Sequence, residues 1–143
     1  MYEEEIKMLL VKPGRYPETI IAPQTLEILQ KLVEGDIEIV YPWQDSACII
    51  CDDEGKLTGK PLNRPLGDYD VLAGSFLIAG LDGPDFKSLT DDQVKTYEEM
   101  FHQPTVFVRT MNGIQAMPCR PDQYDMVQQR MNQHKKARER DPR

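Results

Sequence analysis

Lys60, Asn63 and Arg64 fall close together in Gly59-Lys60-Pro61-Leu62-Asn63-Arg64, a stretch stiffened by Pro61 and Pro65. Two cations and an amide on an ordered loop, in a chain of formal charge -7, form a donor set suited to a phosphate, a carboxylate or a nucleotide. The same residues have a plainer use. Asn63 can hydrogen-bond neighbouring backbone to hold the loop, and Lys60 and Arg64 can pair with the acids of Asp52–Glu54. Tyr41-Pro42-Trp43 sets two aromatics at a turn, where they would stack on a base or anchor a protein partner. Trp43, the single tryptophan, would equally cap a sheet edge. Tyr41, Trp43, Lys60, Asn63 and Arg64 are therefore the candidate ligand- or partner-binding residues.

Other chemistry-bearing types are less well arranged. Asp52-Asp53-Glu54 clusters three carboxylates, but a calcium loop needs oxygen donors at alternating positions over about twelve residues. A paired-carboxylate hydrolase would need a second acid, such as Asp82 or Asp85, beside them. Cys48-Ile49-Ile50-Cys51 has C-x-x-C spacing without the glycine or proline that turns a zinc knuckle. On a strand, residues three apart point to opposite faces, so buried structural thiols are the better reading. His102 and His134 are remote singles. Nucleotide-binding, metalloprotease and nucleophile-elbow signatures are absent. These residues assign no catalytic group, no metal and no cofactor.

Charge narrows the partners. Residues 1–127 hold 11 basic and 22 acidic residues, a net of -11, whereas residues 128–143 hold six basic and two acidic, a net of +4. An acidic body repels nucleic acid, which is disfavoured as a partner even with a basic tail. The start, Met1-Tyr2-Glu3-Glu4-Glu5, is acidic where an export signal needs positive charge, and the longest apolar run is Ala47–Cys51. No membrane association is expected. Three cysteines at no framework spacing suit reduced thiols, and a cytoplasmic location is the expectation.

The elements that must hold these residues follow from period and punctuation. Glu5–Val11 and Glu18–Ala22 read as strands joined through Pro13-Gly14. Pro23–Gly35 reads as a helix, with Pro23 in its first turn, Leu26, Leu29 and Val33 on its apolar stripe, and Gly35 just past its end. Asp36–Tyr41 alternates as a half-buried strand, and Ser46–Cys51 is its antiparallel partner. Lys56–Pro65 reads as an ordered loop. Asp70–Leu81 reads as one central strand, bulged at Gly74. Ser88–Phe101 reads as a helix, with Thr90 and Gln93 as a capping box. Thr105–Met111 and Ile114–Met117 flank Asn112-Gly113 as a hairpin with a type I′ turn. Pro121 opens a last helix that docks through Tyr124, Val127 and Met131, and HKKARERDPR beyond it frays into solvent. The expected fold is α+β: about six strands, mainly antiparallel, covered by the 24–34 and 90–101 helices, with a C-terminal helix. Residues 1–127 form a single domain and 128–143 a basic, partly frayed tail; exposed strand edges allow a homodimer.

Six pieces, in order, resemble one uncharacterised bacterial and phage family, domain of unknown function 3846. They are Pro13-Gly14, the run from Leu29 to Glu38, Tyr41-Pro42, Asp53-Glu54-Gly55-Lys56, Pro61-Leu62-Asn63-Arg64 and Ala73-Gly74-Ser75-Phe76. The resemblance spans about residues 6–101. One departure is Glu34-Gly35, where relatives often have Gly-Gly. The resemblance implies a small accessory protein of a phage or mobile element and carries no catalytic residue with it. The expected function is a non-enzymatic protein-interaction module with a host or element-encoded protein as partner. The alternative is a binding or sequestering protein for a small anionic ligand such as a nucleotide, using loop 56–66.

Overall fold

The computed structural model describes residues 4–140, and the side chains of residues 4–133. His134 and the basic side chains that follow it lie outside the described side chains. The fold is α+β, with a mainly antiparallel six-stranded sheet and three helices.

Alternating burial explains the sheet. In β1 (Glu5–Val11), Ile6, Met8 and Leu10 enter one apolar cluster, while Leu9 and Val11 enter another on the opposite face. β1 pairs with β2 (Glu18–Pro23) and with β7 (Phe76–Asp82), and β7 in turn pairs with β4 (Ala47–Asp52). β3 (Ile37–Val40) closes the order β2-β1-β7-β4-β3, and β8 (Asp85–Lys87), unannounced in the sequence, folds back on the end of β7. Apolar residues on both faces suit β7 to the centre: Phe76 and Ile78 go to one cluster, Leu77 and Ala79 to the other.

α1 (Leu26–Val33) contributes Leu29 and Val33 to the cluster containing Ile6 and Met8. It is shorter than its apolar pattern suggests. Pro23 ends β2, and Thr25 caps the helix by accepting from the Ile28 amide. The left-handed C-cap falls on Glu34 (φ 60°, ψ 43°) and not on a glycine. Gly35 has a different role, since a Cβ there would lie 2.6 Å from Asp52 Cγ. α2 (Asp91–Met100) carries the Thr90–Gln93 capping box and sends Tyr97, with Val94 and Phe101, to the cluster containing Leu9 and Phe76.

Two stretches, an expected loop and an apolar run, divide differently from their sequence reading. The stretch 56–66 is not all loop: Leu62–Leu66 is β5, paired with β6 (Asp70–Ala73) in a separate hairpin. Asp70–Leu81 is not one strand. It breaks after Ala73, because Gly74 (φ 75°) turns the chain from that hairpin into β7. The Gly74 amide bonds to Pro61 O at 2.8 Å.

β9 (Thr105–Thr110) and β10 (Gly113–Pro118) form the last hairpin. Its loop is Met111-Asn112, with positive φ only at Gly113, so the turn sits one residue earlier than Asn112-Gly113 and is not type I′. α3 (Pro121–Arg140) packs Tyr124 and Val127 against Val106 and Cys119. Met131 is exposed and does not dock. Among the described residues, no helix is long and apolar enough to cross a membrane.

Candidate functional site

Two turns and a hairpin enclose a cleft of about 510 Å³. One side is the end of β3 with Tyr41 and Pro42; the other is the 52–57 turn and the β5–β6 hairpin. Its apolar wall is built by Cys51, Leu66, Leu72 and Ala73, all buried. Strand period selects what β3 presents. Ile37 and Ile39 pack with α1's cluster, so Glu38 and Val40 face the cleft. Tyr41 (64 % exposed), Tyr69 (69 %) and Leu57 (87 %) stand at the mouth with most of their surface in solvent.

Carboxylates dominate the cleft's charge. Asp52 pairs with Lys60 Nζ at 2.6 Å and Asp70 pairs with Lys56. Glu38 has no such cation. Its carboxyl is pushed up by burial and by a hydrogen bond to the neighbouring Asp53 carboxyl. Among the described residues, no Lys, Arg or His makes an ion pair with Glu38, Asp53 or Glu54. The cleft therefore holds an acidic edge, with Lys56 nearby but paired to Asp70, beside two exposed aromatic rings.

The five residues singled out from the sequence separate. Tyr41 lines the cleft. Trp43 packs against the core, its ring 4.3 Å from Tyr97 and 6.3 Å from Phe101. That turn is tied down through Asp45, which accepts from Tyr97 Oη at 2.5 Å and from Gln93 Nε2. The bond holds the Asp45 carboxyl down, while burial and Asp45 together push the Tyr97 hydroxyl up.

Lys60 reaches away from the cleft mouth. Besides Asp52, its Nζ donates to Val33 O (3.1 Å) and Glu34 O (2.5 Å), closing the carbonyl end of α1. Asn63 and Arg64 lie in the interior, 0 % and 2 % exposed. Asn63 Nδ2 donates to Val11 O and Gly74 O, both at 2.9 Å, and its Oδ1 accepts from Arg64 Nη1 at 2.8 Å. Arg64 Nε donates to Phe101 O (3.0 Å) and Nη2 to Arg15 O (2.5 Å). No carboxylate pairs with Arg64 among the described residues, and burial pulls its pKa down to about 10. Four oxygens, two from Asn63 in β5 and one each from the β1–β2 loop and the end of α2, solvate this cation. It acts as a pin between segments.

Three further groups have structural surroundings. Burial pushes the Cys48 thiol up to about 12 and the Cys51 thiol up to about 11, and the two sit in different clusters. His102 is exposed, paired with Glu98 at 2.6 Å and stacked on Tyr16 at 4.7 Å. No group of three or more His, Cys, Asp or Glu side chains among the described residues could hold a metal ion.

Sequence reasoning missed Glu38, Tyr69 and Asp70. The signal for Glu38 was present: it alternates with Ile37 and Ile39 and so must face the other side of the sheet. A family model described as Domain of unknown function (DUF3846) matches residues 6–102, ending just past α2, so the β9–β10 hairpin and α3 lie outside the match. No curated protein and no solved structure matches the chain.

Proposed function

The chain belongs to the family described as Domain of unknown function (DUF3846), and from its cleft we propose that it acts as a non-enzymatic binding module for a cationic segment of a partner protein, host-encoded or encoded by a phage or mobile element. The observation that carries this reading is a cleft edge lined by Glu38, Asp53 and Glu54, none of which makes an ion pair with a described lysine or arginine. A lysine or arginine entering there would relieve two like charges at once. Its aliphatic stem and charged head would meet Tyr41 and Tyr69, whose exposed rings suit cation–π contact. A small anion held by Lys60, Asn63 and Arg64 draws less support, because those donors are spent on Asp52 and on backbone carbonyls.

Fluorescence anisotropy with labelled oligolysine, oligoglutamate and a fluorescent nucleotide tests the choice. Oligolysine should bind, weaken on raising salt, and lose affinity in the Glu38→Gln/Asp53→Asn double variant. Because a bound cation favours ionised Glu38, affinity should also fall as pH drops through that raised pKa. Binding of the nucleotide without oligolysine, or oligolysine binding unchanged in the double variant, refutes the reading.

A further inference from the structure

The cleft adjoins a sheet edge, and the two together specify a binding mode. Among the described residues, β3 ends the strand order and pairs only with β4. The Asp53 amide donates to Asp36 O at 2.9 Å, so 36/53 is a hydrogen-bonded pair of this antiparallel ladder. With the register Glu38↔Cys51 and Val40↔Ile49, the next two hydrogen-bonded pairs follow at two-residue steps. The N–H and C=O groups of Ile37 and Ile39 must then point the other way, along the open edge. The side chain between them, Glu38, faces the cleft.

We propose that the partner segment adds to β3 as an extended strand, with its main chain bonded to Ile37 and Ile39 and alternate basic side chains entering the acidic cleft. The inference rests on the cationic-partner reading and adds its geometry. Strand addition draws affinity from main-chain bonds and specificity from pockets that meet every second side chain. Residues opposite Glu38 and Val40 would lie on the cleft face, where Asp53 and Asp70 also stand. Residues opposite Ile37 and Ile39 would lie on the face that carries α1's apolar cluster. The recognised chemistry is thus a strand alternating basic and apolar residues. Charge complementarity selects such a segment over a second copy of this chain, since β3 against β3 would bring Glu38 near its own equivalent on a protein of charge -7.

A heptapeptide alternating lysine and valine is the probe. A peptide of the same composition with its lysines in one block should bind about tenfold more weakly, the loss expected when main-chain bonds and side-chain registry no longer coincide. N-methylation of one alternate set of amides should abolish binding and methylation of the other set should spare it. Sensitivity at the valine amides would mean an antiparallel addition, and at the lysine amides a parallel one. Amide exchange at Ile37 and Ile39 should slow in the complex. Equal binding by both methylated peptides overturns strand addition while leaving a cationic partner in the cleft. Failure of oligolysine and of both lysine–valine peptides overturns both readings. A concentration-dependent dimer of the protein alone, dissolved by the alternating peptide, overturns the inference in favour of a second copy on β3.

Discussion

Replacing Asn63 by alanine separates a structural amide from a ligand-binding one. The side chain is fully buried and makes three bonds of 2.8–2.9 Å, to Val11 O, to Gly74 O and from Arg64 Nη1. Alanine leaves two carbonyls and a guanidinium N–H short of a partner where water does not reach. An orphaned buried group costs about 1–3 kcal/mol, with carbonyls at the lower end because each has a second lone pair. The sum is about 3–5 kcal/mol, a large part of the roughly 5–15 kcal/mol that holds a domain together. For a chain of this length the melting temperature should fall by about 10–20 °C. Urea unfolding followed by fluorescence of Trp43, which packs on Tyr97, reads the loss as a lower midpoint with the slope unchanged. A double-mutant cycle with Arg64→Met should return a coupling of about 1 kcal/mol or more, because the two side chains share a bond and a set of carbonyls. A loss in Asn63→Ala below about 1 kcal/mol at an unchanged slope would refute the structural account and return Asn63 to the candidates for ligand contact.

Two further outcomes probe the end of α1. Lys60→Met should cost about 2 kcal/mol in urea unfolding, since it strips the mostly buried Asp52 of its cation and two terminal carbonyls of their donor. Burial alone would raise the Asp52 carboxyl, but Lys60 and the Glu54 amide outweigh it and the net direction is down. A carboxyl lowered by folding stabilises above its unfolded value of about 4 and loses that contribution as pH falls through the folded value. The gap between wild type and Lys60→Met should therefore narrow in acid, and a gap constant down to about pH 2 would contradict the pairing. Glu34→Gly should raise stability by roughly 0.5–1 kcal/mol, because the left-handed conformation at φ 60° strains any side chain with a Cβ. A fall in melting temperature in that variant would show that the Glu34 side chain contributes more than its backbone costs.

Much of the fold was legible because its cues are local. The capping box at Thr90 and Gln93, the alternation in β1 and β3, and the stripe of α1 each depend on residues within a turn or a strand of one another. The misreadings share one cause. Pro61, Asn63, Arg64 and Pro65 look like loop residues since they are polar or break ladders. Yet Asn63 bonds to Val11, 52 positions away, and Arg64 to Phe101 and Arg15, 37 and 49 positions away. Those carbonyls turn two polar side chains into core. The run Asp70–Leu81 carried no internal sign that its halves belong to different sheets, apart from the glycine that makes the turn between them.

The sequence by itself determined most of the strands and helices, though not β5, β8 or the break after Ala73, and that the body is acidic, since period, caps and charge are properties of neighbouring residues. Only the tertiary structure decided which of the polar residues face solvent. Burial of a cation or an amide depends on oxygen atoms brought from distant parts of the chain, and so does the meeting of Glu38, Asp53 and Asp70 around one cleft.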